Sequence, residues 1–127
     1  MHQFRLIMLA AFGLLLLAIT ATGAIAADCS DAYYAADDAY GYARKGYRRA
    51  DDLDEVERYA KKAMSSASDA ESYADDCGCD DANGAASDTY RYSRKAYRSG
   101  HYEDATQYLK KALRSAEDAM SYADDCG

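Results

Sequence analysis

Small and apolar side chains recur along most of this chain at steps of three and four, with polar residues filling the gaps. In the first such stretch they fall at Ala32, Ala36, Tyr40, Ala43, Tyr47 and Ala50. In the second they fall at Val56, Ala60, Ala63, Ala67, Ala70, Ala74 and Cys77. The pattern then repeats, as Ala82, Ala86, Tyr90, Ser93 and Tyr97, followed by Ala105, Leu109, Ala112, Ala116, Ala119, Ala123 and Cys126. Such spacing places one apolar stripe on an α-helix. It predicts four helices, near 30–49, 52–75, 81–98 and 102–124. The chain contains no proline and is rich in Ala, Lys, Arg, Glu and Asp, which favours helix over strand.

The two halves are copies of one unit. Ser72 to Gly78 returns unchanged as Ser121 to Gly127, and Arg44-Lys45-Gly46-Tyr47-Arg48 returns as Arg94-Lys95-Ala96-Tyr97-Arg98. Tyr59-Ala60-Lys61-Lys62-Ala63 returns as Tyr108-Leu109-Lys110-Lys111-Ala112. The offset is 50 residues early in the unit and 49 late. A residue lost within a helix would rotate every later side chain by about 100°, so the deletion marks a turn between the paired helices. Ser99-Gly100 supplies a helix stop, while Asp51-Asp52 and Glu103-Asp104 set negative charge at the following helix N-termini, where the dipole favours it. The expected fold is all-α, with two tandem antiparallel helical hairpins over 27–78 and 79–127, arranged as one four-helix unit or across a homodimer.

Residues 1–26 read as a signal peptide. A weakly basic start (His2, Arg5) precedes an apolar run from Leu6 to Ile19, and Ala24-Ile25-Ala26 fits the small-residue cleavage pattern. An uncleaved membrane anchor is the alternative reading of the same segment. Cleavage would leave few large aliphatic residues (chiefly Leu53, Val56, Met64, Leu109, Leu113 and Met120) alongside all thirteen tyrosines. A core of ordinary composition gains ~1.5–3 kcal/mol from each large apolar side chain, and this chain has few to bury. Packing of Tyr against Ala, reinforced by cross-links, is therefore expected.

Each unit opens and closes on a cysteine, Cys29 with Cys77 and Cys79 with Cys126. Four cysteines in an exported chain read as two disulfides, with three connectivities available. An antiparallel hairpin brings its first and last residues together, so Cys29–Cys77 and Cys79–Cys126 are the expected bonds. A redox-active Cys77–Cys79 pair is disfavoured by ring strain and by the flanking Asp75, Asp76, Asp80 and Asp81. The same carboxylates, with Asp124, Asp125 and the thiols, form a candidate metal cluster of mixed hard and soft donors; no metal ligand is assigned from it.

Tyr90 to Leu113 resembles a tetratricopeptide repeat, chiefly in Gly100-x-Tyr102-Glu103-x-Ala105 followed by Tyr108 and Lys111-Ala112-Leu113. Thr89 stands where a bulky aromatic is usual, and the period is fifty rather than thirty-four. The resemblance implies antiparallel helix pairs that bind proteins or peptides without catalysis.

Without the leader, 22 acidic residues face 14 basic ones, a net charge of about −8. That balance argues against nucleic acid as a partner. Basic residues concentrate toward the turn end of each hairpin and acidic ones toward the cysteine end, so an anionic envelope polymer is a candidate ligand for the former. Tyr42 and Tyr92 lie two positions beyond Tyr40 and Tyr90, about 200° around the helix, and are the candidate partner-binding residues. His101 is the sole histidine beyond the leader and has no nucleophile or carboxylate set to pair with. No enzyme and no cofactor is expected. The sequence points instead to an exported interaction module in the periplasm or outside the cell, with a protein or peptide as partner and the membrane involved only through an uncleaved leader.

Overall fold

The computed structural model describes residues 28–49 and 51–126; the expected signal peptide, and Ala50, lie outside them. Among these residues are four helices: α1 (Ser30–Arg48), α2 (Leu53–Asp76), α3 (Asp80–Arg98) and α4 (Tyr102–Cys126). All four predicted helices are found, within two residues at every end. Among the described residues no helix is long and apolar enough to cross a membrane.

The turns are built from the signals expected of them. Asp52 caps α2, its Oδ1 accepting the Glu55 N–H at 3.3 Å from an extended backbone. Glu103 and Asp104 occupy the first turn of α4. Between α2 and α3 the chain reverses over Cys77-Gly78-Cys79. Gly78 donates its N–H to the Asp75 carbonyl (3.1 Å), and Cys79 donates to the Ala74 carbonyl (2.9 Å). This pair of bonds requires a left-handed residue at the centre, which Gly78 supplies with φ 73°. Asn83 then ties α3 back to α2 by donating from Nδ2 to the Glu71 carbonyl at 2.9 Å.

The helices alternate in direction and close into a ring. Each packs along its two neighbours in sequence, and α1 packs along α4, while the diagonal pairs touch little. A stacked repeat array would lay α3 along α1; here those two lie across the bundle from one another.

The interior is alanine. Among the described residues nineteen of the buried apolar ones are Ala, and only Val56, Leu109, Cys29 and Cys79 join them. The stripes of α2 and α4 are those expected, from Val56 to Ala74 and from Ala105 to Ala123. Those of α1 and α3 are not. The expectation that Tyr40, Tyr47, Tyr90 and Tyr97 line the core is corrected: Ala39, Gly46, Thr89 and Ala96 are buried instead. Tyr47 and Tyr97 are 41% and 38% exposed. The true stripe steps four, three, four, three (Ala32, Ala36, Ala39, Ala43, Gly46) and keeps one seam facing the neighbouring helices. Helices meeting through Ala and Gly leave no room for a phenol ring between them, so the tyrosines lie along the flanks.

Two polar groups are buried in α3. Thr89 Oγ1 donates to the Ala85 carbonyl at 2.9 Å and is satisfied. Ser93 Oγ has no hydrogen-bond partner among the described residues. Its counterpart in the first unit is Ala43, fully buried at the equivalent position. Removing a buried, unpaired hydroxyl relieves a penalty of ~1–3 kcal/mol, less the van der Waals packing that the oxygen itself provides. Ser93→Ala should therefore stabilise the protein by about 1 kcal/mol, read as a rise in the urea midpoint at unchanged m-value.

Candidate functional site

At the turn end of the bundle, side chains from the two helices of each hairpin form a tyrosine–lysine array, and the arrays are repeats of one another. In the first hairpin, Lys62 Nζ lies 5.6 Å from the Tyr42 ring centroid and 5.8 Å from that of Tyr59, while Lys45 Nζ lies 5.7 Å from Tyr42. In the second, Lys111 Nζ lies 5.7 Å from Tyr92 and 5.8 Å from Tyr108. Lys95 Nζ lies 5.9 Å from Tyr92 and 5.7 Å from Tyr108. Arg58 and Arg91 add guanidinium groups over Tyr59 and Tyr92, at 5.4 and 5.3 Å.

The helical register explains the array. Tyr42 and Tyr92 adjoin the buried Ala43 and Ser93, so each ring leans on the core from its flank and remains half-buried. Lys45 and Lys95 stand one turn further along the same helices. Tyr59 with Lys62, and Tyr108 with Lys111, are the matching pairs on α2 and α4. Each ammonium group rests near ring faces, an arrangement that contributes ~0.5–1 kcal/mol at exposed sites.

None of these lysines is in an ion pair among the described residues. Among the described residues the ion pairs are Arg58–Glu55 at 2.6 Å and Arg91–Asp88 at 3.0 Å, each within one helix. The Glu55 carboxylate beside Arg58 raises the already high guanidinium pKa further. Between α3 and α4 the array borders a cleft of about 510 Å³ lined by Arg91, Arg94, Lys95, Arg98 and Tyr108, with Asp104 as its one carboxylate. Ser99 closes the cleft at the turn, its hydroxyl donating to the Ala96 carbonyl at 3.1 Å.

The opposite end is acidic. Asp28, Asp31, Asp75, Asp76, Asp80, Asp81, Asp124 and Asp125 are all exposed there. The Ser30 hydroxyl and backbone N–H both donate to Asp28, at 2.7 and 3.1 Å, and hold its carboxyl below the usual range. All four cysteines are bonded, as Cys29–Cys77 and Cys79–Cys126, with Cα separations of 5.5 and 6.0 Å. Cys77 and Cys79, adjacent in sequence but for Gly78, belong to different bonds. His101 is exposed on the α3–α4 turn.

The structure thus puts both candidate partner-binding residues, Tyr42 and Tyr92, in equivalent half-buried positions under lysine ammonium groups. The sequence pattern alone does not group them with Tyr59, Tyr108 or the four lysines. A signal is nonetheless present, in the 49-residue echo of Tyr59 and Lys62 as Tyr108 and Lys111.

Fold and disulfides together define a small, doubly cross-linked four-helix bundle made of two hairpins, suited to an oxidising, non-cytoplasmic setting. No protein-family model, curated protein or solved structure matches the chain. The helical hairpins are those a repeat protein would have, but tetratricopeptide membership finds no support in those comparisons.

Proposed function

We propose that the protein is an exported, non-catalytic interaction module whose two tyrosine–lysine arrays each engage an acidic segment of a protein or peptide. The observation that carries this reading is the set of four exposed lysines, Lys45, Lys62, Lys95 and Lys111, poised over tyrosine rings and unpaired with any carboxylate among the described residues. A ring held against the core offers a rigid apolar surface at little entropic cost, and the ammonium groups beside it attract carboxylates. The repeat makes the module bivalent, and linking two weak sites raises overall affinity if both segments belong to one partner. A second copy of the chain could serve as partner too, since its own cysteine end is an acidic surface.

A second reading, an anionic envelope polymer as ligand, is favoured by the cleft with four cationic groups on α3. The two differ in their response to salt, because attraction by charge alone is screened while packing against the rings persists.

The test is a titration with a glutamate-rich peptide and, in parallel, with polyphosphate, followed by the ring signals of Tyr42, Tyr59, Tyr92 and Tyr108. The peptide should bind at two sites and retain measurable affinity in high salt. Lys95→Glu with Lys111→Glu should weaken the second site by about tenfold or more, two exposed charge reversals being worth at least ~1.4 kcal/mol together, and leave the first intact. Polyphosphate binding alone, abolished by salt, would replace the peptide reading with the polymer one. Absence of binding to either probe would end both.

A further inference from the structure

The two disulfides meet at the cysteine end. The Sγ atoms of Cys29, Cys79 and Cys126 all lie within 4.8 Å of one another, and Cys77 Sγ is bonded to Cys29 Sγ. Three sulfurs therefore share one small volume, and the fourth, Cys77 Sγ, stands outside that group, one bond length from Cys29 Sγ. The Cys77-Gly78-Cys79 turn makes the two bonds neighbours, but stapling each hairpin does not require Cys29 Sγ to seat against both sulfurs of the other bond. In a tetrahedral tetrathiolate site the metal–sulfur distance of about 2.3 Å sets the sulfurs about 3.8 Å from one another. Cys29 Sγ already stands within 4.8 Å of both sulfurs of the other bond. The bonded partners must then part from one another, and Cys77 Sγ must turn toward Cys79 and Cys126, to complete the tetrahedron.

We propose that the reduced protein binds one Zn²⁺ ion through Cys29, Cys77, Cys79 and Cys126, in a structural site that takes the place of the two disulfides. The reductant is a small dithiol. Each disulfide accepts two electrons and two protons from one dithiol, which closes into its own cyclic disulfide. Zn²⁺ then enters as the four thiols release four protons to solvent, forming four Zn–S bonds and a centre of net charge −2.

The surroundings suit such a centre. Cys29 and Cys79 are the N-caps of α1 and α3, and neither helix has a side-chain hydrogen bond at its cap. Both sulfurs thus sit at the positive ends of 19-residue helices, where anionic sulfur is favoured and free N–H groups are available to it. They are also the two buried ligands, 2% and 1% exposed, while Cys126 is exposed. Reductant and ion can therefore approach from the Cys126 side. A cleft of about 450 Å³ reaches Cys29 between Asp28 and Asp124, whose carboxylates would draw a divalent cation toward its mouth. The resulting site would knot all four helix termini through one atom, whereas each disulfide joins only two.

The proposal is independent of the tyrosine–lysine arrays and is tested separately. The purified protein is reduced with dithiothreitol, freed of it without air, and titrated with Co²⁺ and then Zn²⁺. Expected are saturation at one ion per chain, the visible absorption of tetrahedral cobalt thiolate, its displacement by Zn²⁺, and native helicity in the metal-bound form by circular dichroism. Cys77→Ser should weaken binding by about a hundredfold or more, since loss of a group that merely supports a ligand already costs about 10–100-fold, and alter the cobalt spectrum. The helicity measurement covers the case in which the reduced, metal-free chain unfolds. Failure to bind stoichiometrically, one ion shared by two chains, or binding without native helicity would each overturn the site.

Discussion

Reducing both disulfides in the presence of a chelator is expected to unfold the protein at or near room temperature. Each bond joins residues 48 or 47 apart, and closing a loop of that length stabilises the folded state by ~4 kcal/mol through loss of unfolded-chain entropy. The pair is then worth ~8 kcal/mol, against a total stability of about 5–15 kcal/mol for ordinary domains. This bundle has little reserve, because its interior is built almost wholly from alanine methyl groups at ~0.8 kcal/mol each. Removing one staple alone, as Cys29→Ser with Cys77→Ser, should lower the melting temperature by about 15–30 °C in a domain of this size. Melting followed by circular dichroism, oxidised against reduced, gives the answer. A reduced, metal-free protein melting within a few degrees of the oxidised one would show that the alanine interior suffices and that the cysteines serve another purpose.

How much of this fold is legible in the sequence depends on where the large residues stand. In α2 and α4, Val56 and Leu109 sit inside the stripe, so size and periodicity agree and both point to the buried set. In α1 and α3 they disagree. Tyr40 and Tyr47 fit a stepped pattern almost as well as Ala39 and Gly46, and hydrophobic size favours the tyrosines. The bundle decides otherwise because its helices approach too closely for rings. Disulfide pairing follows from the hairpins themselves, since it needs only local antiparallel geometry. The adjacency of the two disulfides follows too, from Cys77-Gly78-Cys79, but the seating of Cys29 against Cys79 and Cys126 does not, because it depends on α4 closing against α1, a long-range choice that neither repeat encodes alone. Tyr42 and Tyr92 stand out in the sequence by their displacement from a stripe drawn through Tyr40 and Tyr90. With the stripe redrawn through Ala39 and Thr89, they move from the far face to the flank of the core, beside their lysine neighbours.

The repeats also differ in one compensating place, and it supports the second large effect. Leu109 is the largest fully buried side chain among the described residues, and its counterpart in the first unit is Ala60. The space for Leu109 is made by Gly46, whose counterpart is Ala96. A Cβ placed on Gly46 would come within 2.8 Å of Leu109 Cδ1 and 3.1 Å of Tyr59 Cβ. Leu109→Ala should therefore destabilise the protein by ~3 kcal/mol or more, as large-to-small changes at fully buried sites do, and few other aliphatic side chains stand near enough to take up the loss. Gly46→Ala alone should cost ~1–2 kcal/mol, the clash with Leu109 outweighing the ~1 kcal/mol that Ala gains over Gly inside a helix. With Leu109 already shortened, the 2.8 Å approach disappears and the cavity lets Tyr59 yield a few tenths of an ångström. Gly46→Ala should then turn stabilising, by ~0.5–1 kcal/mol. A double-mutant cycle by urea denaturation measures this change of sign directly. Additive effects of the two substitutions would mean that Gly46 and Leu109 are not fitted to one another and that the asymmetry between the hairpins is incidental.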